Sequence, residues 1–420
     1  MDSDDKLAQE RARLVAGARR VVIKIGTNVV AEDEGSLSVE RLQPLADAVA
    51  GLRQRGIQVV LVSSGAVGLG RGRIGLHRTR TADVVTKQAC AAIGQALLMY
   101  SYEQLFSTRG IPIAQVLLTE DDFMDRRRSS NLRRAMEKLL KLGVVPIVNE
   151  NDTVSTAELE SVREGGRTRI FSDNDRLAAL VTSKIDANAL VLLSNVEGLL
   201  RMLKSSGRGA RSQAAAATSE GGAAVTTSAD ANSSPALIPF VSEITPELKS
   251  LASGPSQGGR GGMLTKLEAA EIATRAGAIV IIADGTKADT LERIFSGSAI
   301  GTAFLPVSRM AGKRRWIAYA ADVRGRVIVN AGARAAITAR KASLLWSGVV
   351  GVQRRFNALD VISIADAEGH EFARGMANHG SEEAAVLASS AGKARNGKGA
   401  AAKPVVLVSR DNIVVYENDD

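Results

Sequence analysis

Six short, nearly all-apolar runs punctuate residues 19–305, at 20–25, 57–63, 111–117, 143–149, 187–194 and 278–283. None alternates apolar with polar residues, so each reads as a strand buried on both faces. Longer runs with helical spacing lie between them, at 38–55, 81–108, 131–142, 175–185 and 263–275. Ser38 is placed to cap the first of these, with Glu40 in its first turn. Strands and helices alternating at this size predict an α/β fold, a three-layer sandwich around a mainly parallel sheet. Ligands in such sheets sit at the carboxyl ends of the strands. The chemistry is therefore to be sought just after each strand.

Two stretches break the texture. In residues 205–235, Ser, Ala, Gly and Thr fill 23 of 31 positions. With almost no large apolar side chain to offset ordering costs of about 1–2 kcal/mol per residue, this stretch reads as a disordered insertion. Residues 388–403 have a similar composition and read as a flexible loop. From Lys313 onward short β-like stretches, at 315–319, 326–329, 348–352, 361–364, 405–409 and 413–416, are separated by turn residues. They predict a small, mostly β domain. The organisation expected is thus an extension at 1–18, an α/β domain at 19–305 and a β domain at 312–420.

The apolar runs are too short to span a bilayer, and the acidic N-terminus has no secretory apolar core. One cysteine, Cys90, forms neither an internal disulfide nor a Cys-based zinc site. These features predict a cytoplasmic chain with no membrane partner. The net charge of +9 attracts polyanions such as nucleotides or RNA. Residues 311–420 carry 16 basic and 11 acidic residues, so the C-terminal part is the more basic per residue. It has few aromatic stacking residues and no dense basic run, which argues against RNA.

The strand ends carry the chemical signals. Lys24 sits inside an apolar run and precedes Gly26, a pattern that suits a phosphate contact with close backbone approach. Ser63-Ser64-Gly65 turns from strand to helix and exposes amides and hydroxyls to an anion or carboxylate. Asn149-Glu150-Asn151-Asp152 offers more amide and acid groups than a turn requires, and suits a small zwitterion. Asp173-Asn174-Asp175 opens a helix at the same end of the sheet. Gly258-Gly259-Arg260-Gly261-Gly262 forms a glycine nest before a helix, with Lys266 one turn in. Gly70-x-Gly72-x-x-Gly75 matches a dinucleotide pattern but lies well past its strand, with no clear helix opening from it, and is rejected. Together these groups favour a phosphotransferase acting on a small carboxylate or amino acid.

The order and spacing of the motifs resemble the glutamate 5-kinases, which join an amino-acid kinase fold to a C-terminal PUA domain. The matching pieces are Val22–Thr27, Ser63–Ala66, Lys87-Gln88 with Gly94-Gln95, Asn149–Asp152, Asp173–Asp175, and Gly261–Met263 with Thr265-Lys266. The tail from Lys313 to Asp411 is similar to the PUA domain of that family. The resemblance implies that Lys24 and Lys266 hold the ATP phosphates and that Asp175 holds the lysines. It implies glutamate binding by Ser64, Gly65, Asn149, Asp152, Asp173 and Asn174. It implies ATP binding by Lys24, Gly26, Thr27, Ser194, Asn195, Arg260, Gly261, Gly262, Met263, Thr265 and Lys266. Mg²⁺ is then held mainly by the nucleotide, with no protein metal site. Proline is the expected feedback inhibitor, and a homodimer or homotetramer the expected assembly. No reductase-like segment follows, so the resemblance is to the monofunctional type.

The chain departs from the family pattern at Ser194-Asn195, where Thr-Asp is usual, and at Leu200, Arg260 and Ser172. Most of these lie on the nucleotide side. A second reading takes them as a weakened ATP site in a kinase-fold protein that senses proline or glutamate, or binds RNA.

Overall fold

The computed structural model describes residues 3–30, 37–76, 83–155, 174–204, 224–225, 233–252, 262–307, 312–394 and 404–416. The chain forms two compact units, Met1–Asp122 with Ser129–Arg309, and Phe123–Arg128 with Met310–Asp420.

The first unit is built on β1 (Arg20–Ile25), β2 (Gln58–Ser63), β3 (Ile113–Leu118), β4 (Val145–Glu150), β5 (Ala189–Ser194), β9 (Phe240–Val241), β10 (Ile279–Asp284) and β11 (Thr302–Phe304). A separate three-stranded ribbon is formed by β6 (Leu200–Lys204), β7 (Ala224–Val225) and β8 (Ser233–Leu237). The main sheet has the order β3-β4-β2-β1-β5-β10-β11-β9. All neighbours from β3 to β10 are parallel, and β11 runs antiparallel to β10. The chain leaves β1 toward β2 on one side and returns to β5 on the other. This reversal opens a crevice at the carboxyl ends of β1 and β5, where parallel sheets bind their ligands.

The helices up to Phe295 are α1 (Ser3–Ala16), α2 (Thr27–Val30), α3 (Val39–Gln54), α4 (Ala66–Arg73), α5 (Val84–Ser107), α6 (Asp121–Met124), α7 (Arg126–Lys141), α8 (Asn174–Lys184), α9 (Pro246–Leu251), α10 (Met263–Thr274) and α11 (Thr290–Phe295); all lie in the first unit except Phe123–Arg128, the end of α6 and the start of α7, which belong to the second. Ser38 caps α3 as its sequence suggests, accepting from the Arg41 amide. Strand periodicity divides the core. Val21, Ile23 and Ile25 of β1 join one cluster with α1, α3, α4 and α5, whereas Val22 and Lys24 turn to the opposite face. Helix α8 packs against β1, β2, β4 and β5, and α10 packs beside α8 and β10.

The Gly70-x-Gly72 segment lies inside α4 and serves packing. A methyl added at Gly70 would stand 1.8 Å from the Cys90 carbonyl oxygen, and one at Gly94 1.8 Å from that of Ala66. Backbone-to-backbone contact between α4 and α5 therefore replaces the phosphate role that such a pattern has elsewhere. One buried strand was misread. In β3 only Leu118 is buried, because β3 is the sheet edge. Helix α7 also starts earlier than expected, at Arg126.

The second unit has a six-stranded sheet of order β13-β17-β16-β15-β12-β14. Its strands are β12 (Val323–Val329), β13 (Leu344–Leu345), β14 (Val349–Arg354), β15 (Val361–Ala365), β16 (Glu371–Ala377) and β17 (Val406–Val415). The expected strand at 315–319 is helical instead: α12 (Gly312–Arg315) passes into a wide turn of helix at Trp316–Ala320. The Trp316 indole donates to the Phe123 carbonyl at 2.8 Å, which anchors this turn. The two strands expected at 405–409 and 413–416 run on as one, β17, with the exposed Arg410 and Asp411 at the point where its register with β16 shifts. Helix α13 (Ala331–Arg340) was not foreseen, nor was α14 (Ser381–Ala394), which takes in the first half of the expected 388–403 loop. The remainder of that loop lies outside the described residues, as does most of 205–235, apart from β7 and the start of β8.

The α4–α5 contact yields a direct test. Gly94→Ala should lower stability by about 1–3 kcal/mol, the usual range for overpacking, as read from the urea midpoint. An unchanged midpoint would mean that the two helices separate without cost.

Candidate active site

Three charged side chains from distant parts of the chain meet at the crevice. Lys24 comes from β1, Asp175 from the first turn of α8 and Lys266 from the first turn of α10. Lys24 Nζ lies 2.7 Å from Asp175 Oδ1, and Lys266 Nζ lies 3.1 Å from Oδ2. Asp175 is fully buried and each lysine is 5 % exposed. One carboxylate so buried between two ammonium groups leaves a formal charge of +1 on the cluster. Burial makes an excess charge costly, so the arrangement is poised for an anion. The N-termini of α4, α8 and α10 lie at the same strand ends, and their dipoles add to the positive field.

The local turns explain how the cluster is reached. Gly65 caps α4 with φ of +105°, a left-handed turn that glycine accepts without strain. The Gly26 amide donates to the Leu193 carbonyl at 3.0 Å, which ties the end of β1 to β5. A methyl at Gly26 would stand 3.2 Å from the Leu193 carbonyl oxygen, so glycine eases the close approach of the two strand ends. Gly262 caps α10, and Thr265 Oγ1 donates back to its carbonyl at 2.8 Å. Met263 is buried.

A second, neutral group lies across the sheet edge. Asn174 Nδ2 lies 2.7 Å from the Ser63 carbonyl oxygen and 2.8 Å from Ser64 Oγ, to which its two hydrogens point, and 3.1 Å from Asn149 Oδ1. Asn149 Nδ2 donates in turn to Gln95 Oε1 at 2.9 Å. The loop after β4 is held to α5 by Gln88, which donates to the Ser155 carbonyl at 3.1 Å. Ser63 Oγ is 2.8 Å from the Tyr102 hydroxyl. Burial pushes the Tyr102 phenol up to about 12, against the opposing pull of the Ser63 hydrogen bond.

The structure therefore joins Lys24, Asp175 and Lys266 in one cluster, and Ser64, Asn149 and Asn174 in another. Asp152 sits in the turn after β4. Thr27 is exposed at the start of α2, and Ser194 closes β5 with Asn195 exposed beside it. Asp173, Arg260 and Gly261 lie outside the described residues. No role was expected for Gln95 or Tyr102. Their signal was present in the spacing: Gln88, Gln95 and Tyr102 recur every seven residues, on one face of α5.

The amino acid kinase family model matches residues 19–211, and the PUA domain model matches 325–396. The glutamate 5-kinase of Moorella thermoacetica is 43 % identical over 376 residues, covering 89 % of this chain and 90 % of that protein. That of Myxococcus xanthus is 42 % identical, covering 87 % and 88 %. That of Gloeobacter violaceus is 40 % identical, covering 94 % and 98 %. The chain belongs to the glutamate 5-kinase family.

The first unit accordingly has the amino-acid kinase fold and the second carries the PUA domain, as the motifs led one to expect. A kinase of this family uses ATP. Among the described residues no helix is long and apolar enough to cross a membrane. Nor does any group of three or more His, Cys, Asp or Glu residues form a metal cage there.

The Tyr102 phenol gives this kinase a measurable alkaline signature. Its folded pKa exceeds the unfolded value of about 10. Its contribution is thus fully present below pH 10 and is lost as pH rises toward 12, by roughly 2–3 kcal/mol. Tyr102→Phe should cost about 1 kcal/mol at pH 8, the value of one hydrogen bond. Urea melts at pH 8 and pH 11 should show that deficit shrinking or reversing. A constant difference between the two proteins would refute the burial of an un-ionised phenol.

Proposed function

We propose that this chain transfers the γ-phosphoryl group of ATP to the side-chain carboxylate of L-glutamate, giving γ-glutamyl 5-phosphate, the first step of proline biosynthesis. The observation that carries the reading is the buried Lys24–Asp175–Lys266 cluster at the point where strand order reverses. A carboxylate oxygen attacks the γ-phosphorus, the bond to the bridging oxygen breaks, and ADP leaves with that electron pair. The attacking group is already ionised at pH 7, so no proton has to be removed. What remains for the protein is in-line positioning and neutralisation of charge.

In this reading Lys24 and Lys266 contact the phosphate oxygens, and Asp175 keeps the two ammonium groups a fixed distance apart. Glutamate lies against Ser64, Gly65, Asn149, Asp152, Asp173 and Asn174. The nucleotide lies toward Gly26, Thr27, Ser194, Asn195, Arg260, Gly261, Gly262, Met263 and Thr265. Asp175 already spends both oxygens on lysines. A Mg²⁺ ion would therefore arrive on the nucleotide phosphates, where it supplies charge neutralisation. Proline, a smaller amino acid, would compete at the glutamate site.

The test is to incubate the chain with ATP, Mg²⁺ and glutamate and to trap the acyl phosphate with hydroxylamine. Hydroxamate should form with glutamate and not with aspartate or N-acetylglutamate. Product with another acid alone would move the substrate assignment. Lys266→Ala should lower kcat by about 10²–10³-fold with the fold intact, as expected for loss of a preorganised charge. Turnover near that of the parent would remove the glycine nest from the site. Asp152→Ala should mainly raise KM for glutamate, by roughly tenfold or more; an unchanged KM would put glutamate elsewhere.

A further inference from the structure

We propose that the outer face of α7 binds double-stranded nucleic acid through its phosphate backbone, independently of base sequence. The helix, Arg126–Lys141, carries five arginines and two lysines against one acid, Glu137. Its inward side is marked by the buried Ser129, Met136 and Leu140, at spacings of seven and four residues. Arg127, Arg134 and Lys138 repeat those spacings on the outward side, Lys141 continues them by three, and all four are exposed. At about 100° per residue the four fall within about 60° of arc, and at about 1.5 Å per residue they span about 21 Å. The result is a straight row of cations along one helix.

The row has no counter-charge of its own. Glu137 pairs with Arg133 at 2.8 Å, and Arg133 also reaches Asp186 at 2.7 Å, so these acids are engaged at the flank of the helix. Asp122 and Asp125, just before the helix, accept from the Thr119 and Arg128 amides at 2.8 and 2.7 Å. Arg134 Nη2 donates to Asn131, a neutral side chain. Among the described residues none of the four row cations makes an ion pair. The pattern is unfavourable for the helix itself. Arg134 and Lys138 are like charges one turn apart, and Arg127 sits in the first turn, where the helix dipole disfavours a cation. An external anion relieves both.

The form of the row selects the anion. A small phosphate or carboxylate meets only one or two of these cations, whereas a line of about 21 Å suits a stiff polymer of closely spaced charge. Duplex nucleic acid carries one negative charge per about 1.7 Å of its axis. Single-strand binding relies on aromatic side chains for stacking, and α7 has none. A membrane-surface helix inserts its apolar face, and here Met136 and Leu140 of that face are buried in the fold. Contacts from lysine and arginine to phosphate position the partner and carry no sequence information. The net charge of +9 adds long-range attraction. Composition alone pointed to residues 311–420 as the basic part of the chain, whereas this surface lies on α7.

The test follows the fluorescence anisotropy of a labelled DNA duplex of about 20 base pairs with the full chain, over a salt series from about 50 to 300 mM. Four phosphate contacts predict a slope of log K against log salt of about −3.6. Lys138→Gln should reduce the magnitude of that slope by about 1 and leave the urea midpoint unchanged. Arg127→Gln, Arg134→Gln, Lys138→Gln and Lys141→Gln combined should weaken binding about 100-fold at the lowest salt. A control combines Arg324→Gln, Lys341→Gln, Arg354→Gln and Arg410→Gln, four exposed positions outside α7, and so has the same net charge. It should stay within about threefold of the parent. The proposal is overturned if the two combined variants lose affinity alike, or if the slope of Lys138→Gln equals that of the parent. It is also overturned if a single strand of the same length binds more tightly than the duplex, or if phosphatidylserine vesicles bind through the row and the duplex does not. Should the combined α7 variant fail to fold, Lys138→Gln and Lys141→Gln, taken singly, are held to the slope criterion.

Discussion

One buried carboxylate between two buried lysines sets the terms for the rest of the molecule. Removing one partner of such a group typically costs about 3–5 kcal/mol, because the remaining charge is left uncompensated. The fold must therefore deliver three residues from three distant segments to within 2.7 and 3.1 Å of one another. It does so with rigid parts: a central strand and the first turns of two helices that pack side by side. Asp175 uses one oxygen for each lysine, so it spaces the ammonium groups as well as compensating them. The cluster remains one positive charge in excess, and that excess is pre-aimed. A phosphoryl group entering it meets charges that need not reorganise, the condition under which electrostatic stabilisation is most effective.

The same sheet separates charge from neutral polarity. Alternation along β1 turns Lys24 to the α8 and α10 face, while Ser63 and Asn149 turn to the α5 face. Adjacent residues bridge the two. Asn174 reaches the neutral side and Asp175 the charged side, from the first turn of a single helix. A shift in α8 would disturb both together. This coupling is a geometric reason for the Asn-Asp pair to sit at a helix start, where backbone position is most firmly set by packing.

How much of this was legible in the sequence depended on the range of the interaction. The apolar runs that became β1, β2, β4, β5 and β10 were readable because burial on both faces leaves a local mark. Lys24 and Lys266 were readable because a lysine beside glycines and apolar residues is locally anomalous. Gln95 left only its heptad spacing with Gln88 and Tyr102, since its significance lies in a contact 54 residues away. The errors have the same origin. Arg315–Tyr319 looked like a strand because aromatic and β-branched residues favour both states, and the anchoring bond to Phe123, 193 residues away, decided for helix. Residues 405–416 read as two strands because the exposed polar step at Arg410–Asp411 is a real break in pairing, a register shift that a continuous strand carries in place of a turn.

Of the departures from the family pattern, Ser194, Asn195 and Leu200 lie among the described residues. Around Asn174 the amides are buried or half-buried and bonded to one another, to Ser63 and Ser64 and, through Asn149, to Gln95. Around the end of β5 and in the loops after β5 and β10 the described groups pair locally. Ser194 Oγ donates to Asn195 at 3.4 Å, and Lys287 pairs with Glu197 at 2.7 Å, with both of the latter more than half exposed. Exposed pairs of this kind contribute about 0–1 kcal/mol and are screened by salt. A hydroxyl remains a hydroxyl in Ser194, and the exposed Asn195 can exchange its partners with water. Substitution at an exposed pair is thus cheaper than substitution in the buried amide cluster. Asn195, exposed beyond the end of β5, is thus the departure on which the fold depends least, whereas the buried Ser194 keeps its hydroxyl.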